Sequence, residues 1–159
     1  MQEIKLRMAQ LEDAKLLFSW ANDREVRANS FNVESIVYSD HLGWLKRKLA
    51  SPSTHLFIGT IADKPVGQVR FDEVSPGECE IDIHVAPNVK GLGYGKKLLN
   101  CAVSELNSGF NSKKVNTVVA VVFESNLASY KLFLSCGFKE VKRKNINDIP
   151  CIELRLYYA

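Results

Sequence analysis

The chain has 159 residues, 46% apolar and 25% charged, with a formal net charge of +3. That length suits one domain over residues 1–159 with a single core, and the balance of residue types excludes disordered and fibrous classes. A mild positive charge suits an anionic small-molecule partner, whereas a nucleic-acid binder carries a denser basic stripe. The longest apolar run, VVAVVF at 118–123, is far too short to cross a bilayer, and the start MQEIKLRMAQ has no secretory apolar core, so a cytoplasmic protein with no membrane partner is expected. Cys79, Cys101, Cys136 and Cys151 are too widely spaced for a CxxC pair and the three histidines are scattered, which suggests neither a metal site nor a disulfide framework.

In chain order, IKLRMA (4–9) alternates Ile4, Leu6 and Met8 with polar neighbours, as a strand does. Ala14, Leu17, Phe18 and Ala21 then fall at i, i+3, i+4 and i+7, one apolar helical face ending near Asn22 and Asp23. A second helix is expected over Asp40 to Leu49, with Leu42, Leu45 and Leu49 inward, the Lys46-Arg47-Lys48 run outward and Pro52 as its stop. Three strands follow at 55–62, 64–74 and 77–86, joined by turn residues as an antiparallel meander. After a glycine-rich segment, Leu98, Leu99, Ala102, Val103 and Leu106 mark another helix. The strand at 114–123 is too continuously apolar to have a wet face and is placed centrally. A helix capped by Ser125 runs through Leu127, Tyr130 and Leu134 to the Cys136-Gly137 stop, and FKEVKRK with IPCIELRLYY reads as a closing strand pair. The resulting order is β-α-α-β-β-β-α-β-α-β-β, a mixed α/β fold of the α+β kind.

The glycine segment KGLGYGK (90–96) sits between a strand and a helix. A dinucleotide GxGxxG would need glycine at Lys96, and a P-loop would need one more residue between Gly91 and Gly95 and a hydroxyl at Lys97. What remains is a turn without side chains before a helix start, where free N–H groups and the helix dipole converge and favour phosphate. A β-carbon at 91, 93 or 95 would keep a diphosphate off those N–H groups or demand a strained φ.

Lys90-Gly91-Leu92-Gly93-Tyr94-Gly95 resembles the acyl-CoA diphosphate motif of the GNAT N-acetyltransferases, Q/R-x-x-G-x-G/A, with Lys90 where that family prefers Arg or Gln. ESNLASYKLFLSCGF (124–138) is similar to the same family's N-x-x-A/S-x-x-L-Y-x-x-x-G-F segment. The resemblance implies a central mixed sheet of six to seven strands flanked by about four helices. It implies acetyl-CoA as co-substrate, held by Val85, Lys90, Gly91, Gly93, Tyr94, Gly95 and Lys96, with Asn126 bonding the pantetheine arm and the N–H near Val85 facing the thioester oxygen. The tyrosine that usually protonates the departing thiolate falls on Phe133, which has no proton to give; Tyr130, one turn earlier, is the alternative, with Ser135 and Tyr94 behind it.

Acyl transfer from a thioester to an amine needs a held donor, a polarised carbonyl, a neutral amine and a stabilised thiolate. Glu80, Asp82 and His84 share one face of CEIDIHV, with Glu80 and His84 the candidate bases; equally, that face is simply solvated and Arg70 pairs with Glu80 or Asp82. The first fifty residues, with Trp20, Asn22, Asp23, Arg27, Phe31, His41 and Trp44, resemble acetyltransferases of nucleotide-linked amino sugars in bacterial surface-glycan pathways. Less closely they resemble the branch acting on ribosomal-protein N-termini. A nucleotide-sugar acceptor would use Arg27, or a lysine within 46–48, for phosphate and a ring such as Phe31 for stacking, with Arg27 and Phe31 ranked first. A non-catalytic acyl-CoA sensor is the third reading, and nothing in the sequence excludes a homodimer.

Overall fold

The computed structural model describes residues 3–107 and 114–158. Its strands are β1 (Lys5–Met8), β2 (Thr54–Ile61), β3 (Lys64–Ser75), β4 (Glu78–Val85), β5 (Thr117–Phe123), β6 (Lys139–Ile146) and β7 (Ile149–Tyr157). Among the described residues the α-helices are α1 (Ala14–Ala21), α2 (Arg24–Ala28), α3 (Tyr38–Ala50), α4 (Tyr94–Asn107) and α5 (Leu127–Ser135), with 3-10 turns at Leu11–Asp13 and Pro87–Val89. The expected order of strands and helices is found; α2, five residues long, is an addition to it.

One sheet carries all seven strands in the order β1-β2-β3-β4-β5-β7-β6. Neighbours are antiparallel except β4 and β5, which run parallel. The period-two alternation of β2 splits its apolar residues between two layers. Phe57 faces a core built with Val69, Phe71, Ile81, Leu98, Leu99, Val118 and Phe133, under α4 and α5. Leu56 and Ile58 face the other core, with Leu17 and Trp20 of α1 and Leu45 of α3. Gly59 and Gly67 are partners across β2 and β3, and a β-carbon on either would collide with Leu98. Their bareness lets α4 sit close and bury Leu98 completely, which contributes roughly 2 kcal/mol.

Two local expectations are corrected. In α3 the inward residues are His41 and Leu45, while Leu49 is at the surface and Lys48 turns back to pair with Asp72 at 3.0 Å. Leu42 is half-buried against the same core and Leu45 fully buried, as expected, so the departure is confined to the last turn, where Lys48 rather than Leu49 turns toward the sheet. The cap of α5 is Asn126, whose side-chain oxygen accepts the Ser129 N–H at 3.3 Å, rather than Ser125. Met8, the last apolar residue of the alternation read over 4–9, is exposed at the end of a four-residue edge strand.

Candidate functional site

The pairing of β4 with β5 covers three residue pairs, Glu78 with Thr117, Cys79 with Val118 and Glu80 with Val119, and then the strands part. Register says what this exposes. The Ala86 N–H donates to the Val66 carbonyl at 2.8 Å, and Gly67 stands opposite Val85. Alternation then makes 68/84 and 70/82 hydrogen-bonded pairs, so the N–H and C=O groups of Ile83 and Val85 turn away from β3 and into the gap. A sheet that opens in this way offers backbone donors to an extended molecule lying in the gap, as a further strand would be bound.

At the wide end of the gap lies the glycine turn. Gly91 and Gly93 have φ of +80° and +83°, the left-handed region, and a β-carbon on either would touch nothing within 4 Å. Backbone conformation, not space, therefore demands glycine at these two positions. Gly95 is different: it lies in the first turn of α4, and a β-carbon there would meet Val85 and Leu132 at ordinary contact distances of 3.5–3.7 Å. Its neighbours show that the end of β4, the start of α4 and the inner side of α5 converge on the gap. Tyr94 is half-buried and Lys96 exposed on the same turn. Asn126 uses its oxygen as the α5 cap, which leaves its amide N–H groups for a ligand.

Lys90 does not point freely at this turn. Its ammonium pairs with Asp23 at 2.8 Å and Glu25 at 2.7 Å, tying the glycine turn to the start of α2. Burial pulls its pKa down, but the hydrogen bonds it donates to the two carboxylates outweigh that and hold it above the ordinary lysine value. Phe133 is buried, edge-on to Phe138 at 5.0 Å. The Tyr130 hydroxyl donates to Glu140 at 2.9 Å, on β6, two strands beyond β5. Neither aromatic residue of α5 brings a hydroxyl to the gap between β4 and β5.

On the α1 and α3 side of the same sheet is a cavity of about 430 Å³. Its floor is a polar row on β3 and β4: Gln68, Arg70, Asp82 and His84, with His84 opposite Gln68 and Asp82 opposite Arg70. Asp82 is the hub. Its Oδ2 accepts from Gln68 Nε2 at 3.1 Å and lies 3.5 Å from His84 Nε2 and 3.7 Å from Arg70. Burial pushes the Asp82 carboxyl up, but the fields of His84 and Arg70 and the Gln68 hydrogen bond outweigh it, so it stays ionised at neutral pH. Arg70 is itself held by Asp72 at 2.8 Å and lies 5.0 Å over the Trp44 ring. Glu80 shares the face but not the cavity wall: burial and then the Asp72 charge raise its carboxyl above the ordinary range, against Arg70.

The cavity roof is the segment between α1 and α3. Asn22 grips Ile36 twice, accepting its N–H at 2.7 Å and donating to its carbonyl at 3.0 Å. Arg27 donates to the carbonyls of Ala21 and Asn32, both at 2.8 Å. Burial lowers the Arg27 pKa and the Asp82 charge opposes this. Arg27 thus borders the cavity as a brace whose donors are largely spent on the backbone. Phe31, 47% exposed, meets Phe123 edge-on at 5.1 Å and stands over the end of β5 rather than in the cavity wall. His41 and Trp44, stacked at 5.5 Å, form the α3 wall with Asp40.

The structure therefore gathers Val85, Gly91, Gly93, Tyr94, Gly95 and Lys96 round one end of the gap, and His84 on the adjoining cavity floor. It sets Glu80 beside that floor, Tyr130 away from it, Phe31 at the outer end of β5 and Lys90 in an ion pair. Sequence reasoning missed Gln68 as the partner of Asp82 and the buried position of His41. The alternation GQVRFD on β3 carried a signal for the first, since it puts Gln68 and Arg70 on one face. Among the described residues no group of three or more His, Cys, Asp or Glu side chains gathers as a metal site, and no helix is long and apolar enough to cross a membrane.

Residues 3–139 match the family model of the acetyltransferase (GNAT) domain. Two curated relatives, both Acetyltransferase PseH from Campylobacter jejuni subsp. jejuni, are 28% and 24% identical over 123 residues, spanning 77% of this chain and 74% of theirs. Among solved structures, AAC(6')-Ib in complex with ribostamycin and coenzyme A superposes with a TM-score of 0.84 at 20% identity, over 98% of this chain and 93% of that one. Spermidine N-acetyltransferase from Vibrio cholerae, in complex with CoA and spermine, gives 0.84 at 21%, over 98% and 95%. At such identities these two structures establish the fold.

Proposed function

The chain belongs to the GNAT acetyltransferase family, and from that premise we propose that it transfers the acetyl group of acetyl-CoA to a primary amine on a nucleotide-linked amino sugar. One observation carries the reading: β4 serves both substrates. Its edge turns the N–H groups of Ile83 and Val85 into the gap beside the glycine turn, and its face puts Asp82 and His84 on the cavity floor. A diphosphate at the first turn of α4 and an extended thiol arm in the gap bring a thioester to the end of β4. An amine in the cavity then stands one strand-width away.

The residues act in named roles. His84 accepts the proton that the amine sheds as its nitrogen bonds to the thioester carbon, and the ionised Asp82 stabilises the imidazolium so formed. The Val85 N–H donates to the carbonyl oxygen as it gains charge. When the C–S bond breaks, the thiolate takes its proton from water, since Phe133 has no hydroxyl and that of Tyr130 is bonded to Glu140.

For the acceptor, the cavity mixes Asp40 and Asp82 with Arg27, Arg70 and the Trp44 ring. A polyamine would favour acidic walls alone, whereas a polyhydroxylated amine carrying a diphosphate suits both charges. The exposed Phe31 ring, outside the cavity, is placed to stack on a base that extends beyond it. The test is thiol release from acetyl-CoA with UDP- and dTDP-linked amino sugars, spermidine, kanamycin and short peptides as acceptors. The nucleotide sugars are expected to give the highest kcat/KM; preference for a peptide amine or a polyamine overturns the acceptor assignment, and silence on every amine despite acetyl-CoA binding replaces the enzyme by a sensor.

A further inference from the structure

His41 occupies an unusual position for a polar side chain. It is only 4% exposed, in the wall of the cavity, with its ring 5.5 Å from Trp44 and 5.6 Å from Phe18. Its Nε2 is closed off from solvent and has no hydrogen-bond partner in the protein. A buried polar atom without a partner is costly, and native structures retain one where a ligand completes it.

The protonation state follows from the surroundings. Burial between two aromatic rings pulls the His41 pKa below the ordinary histidine value, and the Ala14 backbone, which favours the charged ring, only partly offsets this. The ring is therefore neutral at neutral pH. A backbone group that favours the charged ring acts as an acceptor, and the neutral tautomer that turns its Nδ1 N–H toward Ala14 is the one that leaves Nε2 without a proton. Nε2 is left as a bare lone pair: it can accept a hydrogen bond and cannot give one.

We infer that a small turn of the His41 ring into the cavity lets its Nε2 accept a hydrogen bond from a hydroxyl of the acceptor, and so selects amines that carry a hydroxyl at a fixed distance from the reacting nitrogen. This rests on the reading of the cavity as the acceptor site and narrows it. A carbonyl or carboxylate at that point would face a lone pair and be rejected, and an amine without the hydroxyl would leave the nitrogen as it is now. The polar floor handles the amine, since Asp82 and His84 lie on β4; His41, from α3, meets the acceptor from the opposite wall. The neighbouring Arg27 does not substitute, because it is a donor and spends its N–H groups on backbone carbonyls.

The probes are methyl 4-amino-4-deoxyglucopyranoside and its 2-deoxy, 3-deoxy and 6-deoxy counterparts, with the intact protein. In nitrogen-15 NMR, the Nε2 resonance of His41 is expected to move from its bare to its hydrogen-bonded position with the parent sugar, and to stay put with the one deoxy sugar that lacks the bonded hydroxyl. That sugar should also show kcat/KM about 10–100-fold lower, the usual cost of leaving a built hydrogen-bonding site unpaired. His41→Phe should abolish the difference between parent and deoxy sugars, and His41→Gln, whose amide oxygen reaches the Nε2 position, should keep part of it; thermal melts check that both variants fold. A resonance unmoved by every sugar, bound or not, overturns the inference, as does a wild-type ring found already charged. Acetylation with an unmoved resonance sinks this inference while the acetyltransferase reading stands, and a moved resonance without acetyl transfer does the reverse.

Discussion

Asp82 and Glu80 are two carboxylates two residues apart on one strand face, and their surroundings push them in opposite directions. Asp82 is stabilised as an anion by His84, Arg70 and Gln68, which keeps it able to hold an imidazolium. Glu80 sits near Asp72, and burial with that like charge raises its carboxyl. The difference gives a direct prediction. Asp82→Asn and His84→Gln should each lower kcat/KM by about 10²-fold or more, the usual worth of a positioned base, while Glu80→Gln should stay close to wild type. The acid limb of the pH–rate profile should survive in Glu80→Gln. Loss of that limb in the Glu80 variant would return the role of base to Glu80. Sequence alone could not separate the two, because the answer depends on which residues of β3 stand opposite: Gln68 is 16 positions from His84 in the chain and its direct partner in the sheet.

At the scale of the element, the glycine turn shows that three glycines in one motif meet different demands. Gly91 and Gly93 hold positive φ in open space, so Gly91→Ala should cost about 1–2 kcal/mol of backbone strain. Gly95 has helical backbone, and alanine there makes only ordinary contacts while gaining up to about 1 kcal/mol of helix propensity. Gly95→Ala should therefore melt at or above the wild-type temperature and yet raise KM for acetyl-CoA, because the new methyl stands against Val85 and Leu132, beside the gap proposed for the thiol arm. Gly91→Ala should both melt lower and bind less well. Equal melting losses in the two variants would refute the distinction. The turn itself was legible from glycine spacing between a strand and a helix. The ion pair that holds Lys90 was not, since Asp23 and Glu25 reach it only after α2 folds against the turn. The α5 cap was misread by one residue because serine and asparagine cap equally well, and the choice between Ser125 and Asn126 is made by how the chain leaves β5.

At the scale of the whole molecule, period-two and period-3.6 patterns were enough to order the seven strands and the long helices, since each buried stripe must face one of two cores. They could not show the parting of β4 from β5, which is a matter of register between residues 39 positions apart. The two-layer arrangement also places two histidines where charge is disfavoured, His41 in the α3 wall and His55 on β2. Burial lowers both below the ordinary value; at His55 the fields of Glu73 and Asp72 oppose it only in part, and at His41 the Ala14 backbone does the same. The unfolded chain, with both near 6.5, then binds more protons than the folded one as pH falls from that value toward the folded pKa, so stability must drop over that window. The depressed carboxylates Asp13, Asp72, Asp82 and Glu153 act lower, their contribution vanishing only as pH falls below the ordinary carboxylate range. Cys79, pushed up to about 11, and Tyr158, to about 12, act only in alkali, where the folded state resists their ionisation. Between pH 7.5 and 5.5 these two histidines are the groups among the described residues whose lowered pKa costs stability, the raised Glu80 carboxyl opposing them toward the acid end, and Tm is expected to fall across that range. His55→Gln should remove part of the slope, His41→Phe another part, and the double variant most of it. A wild-type Tm that is level from pH 7.5 to 5.5 would mean that these rings carry their charge in the folded protein, and with it that His41 Nε2 is a donor instead of a lone pair.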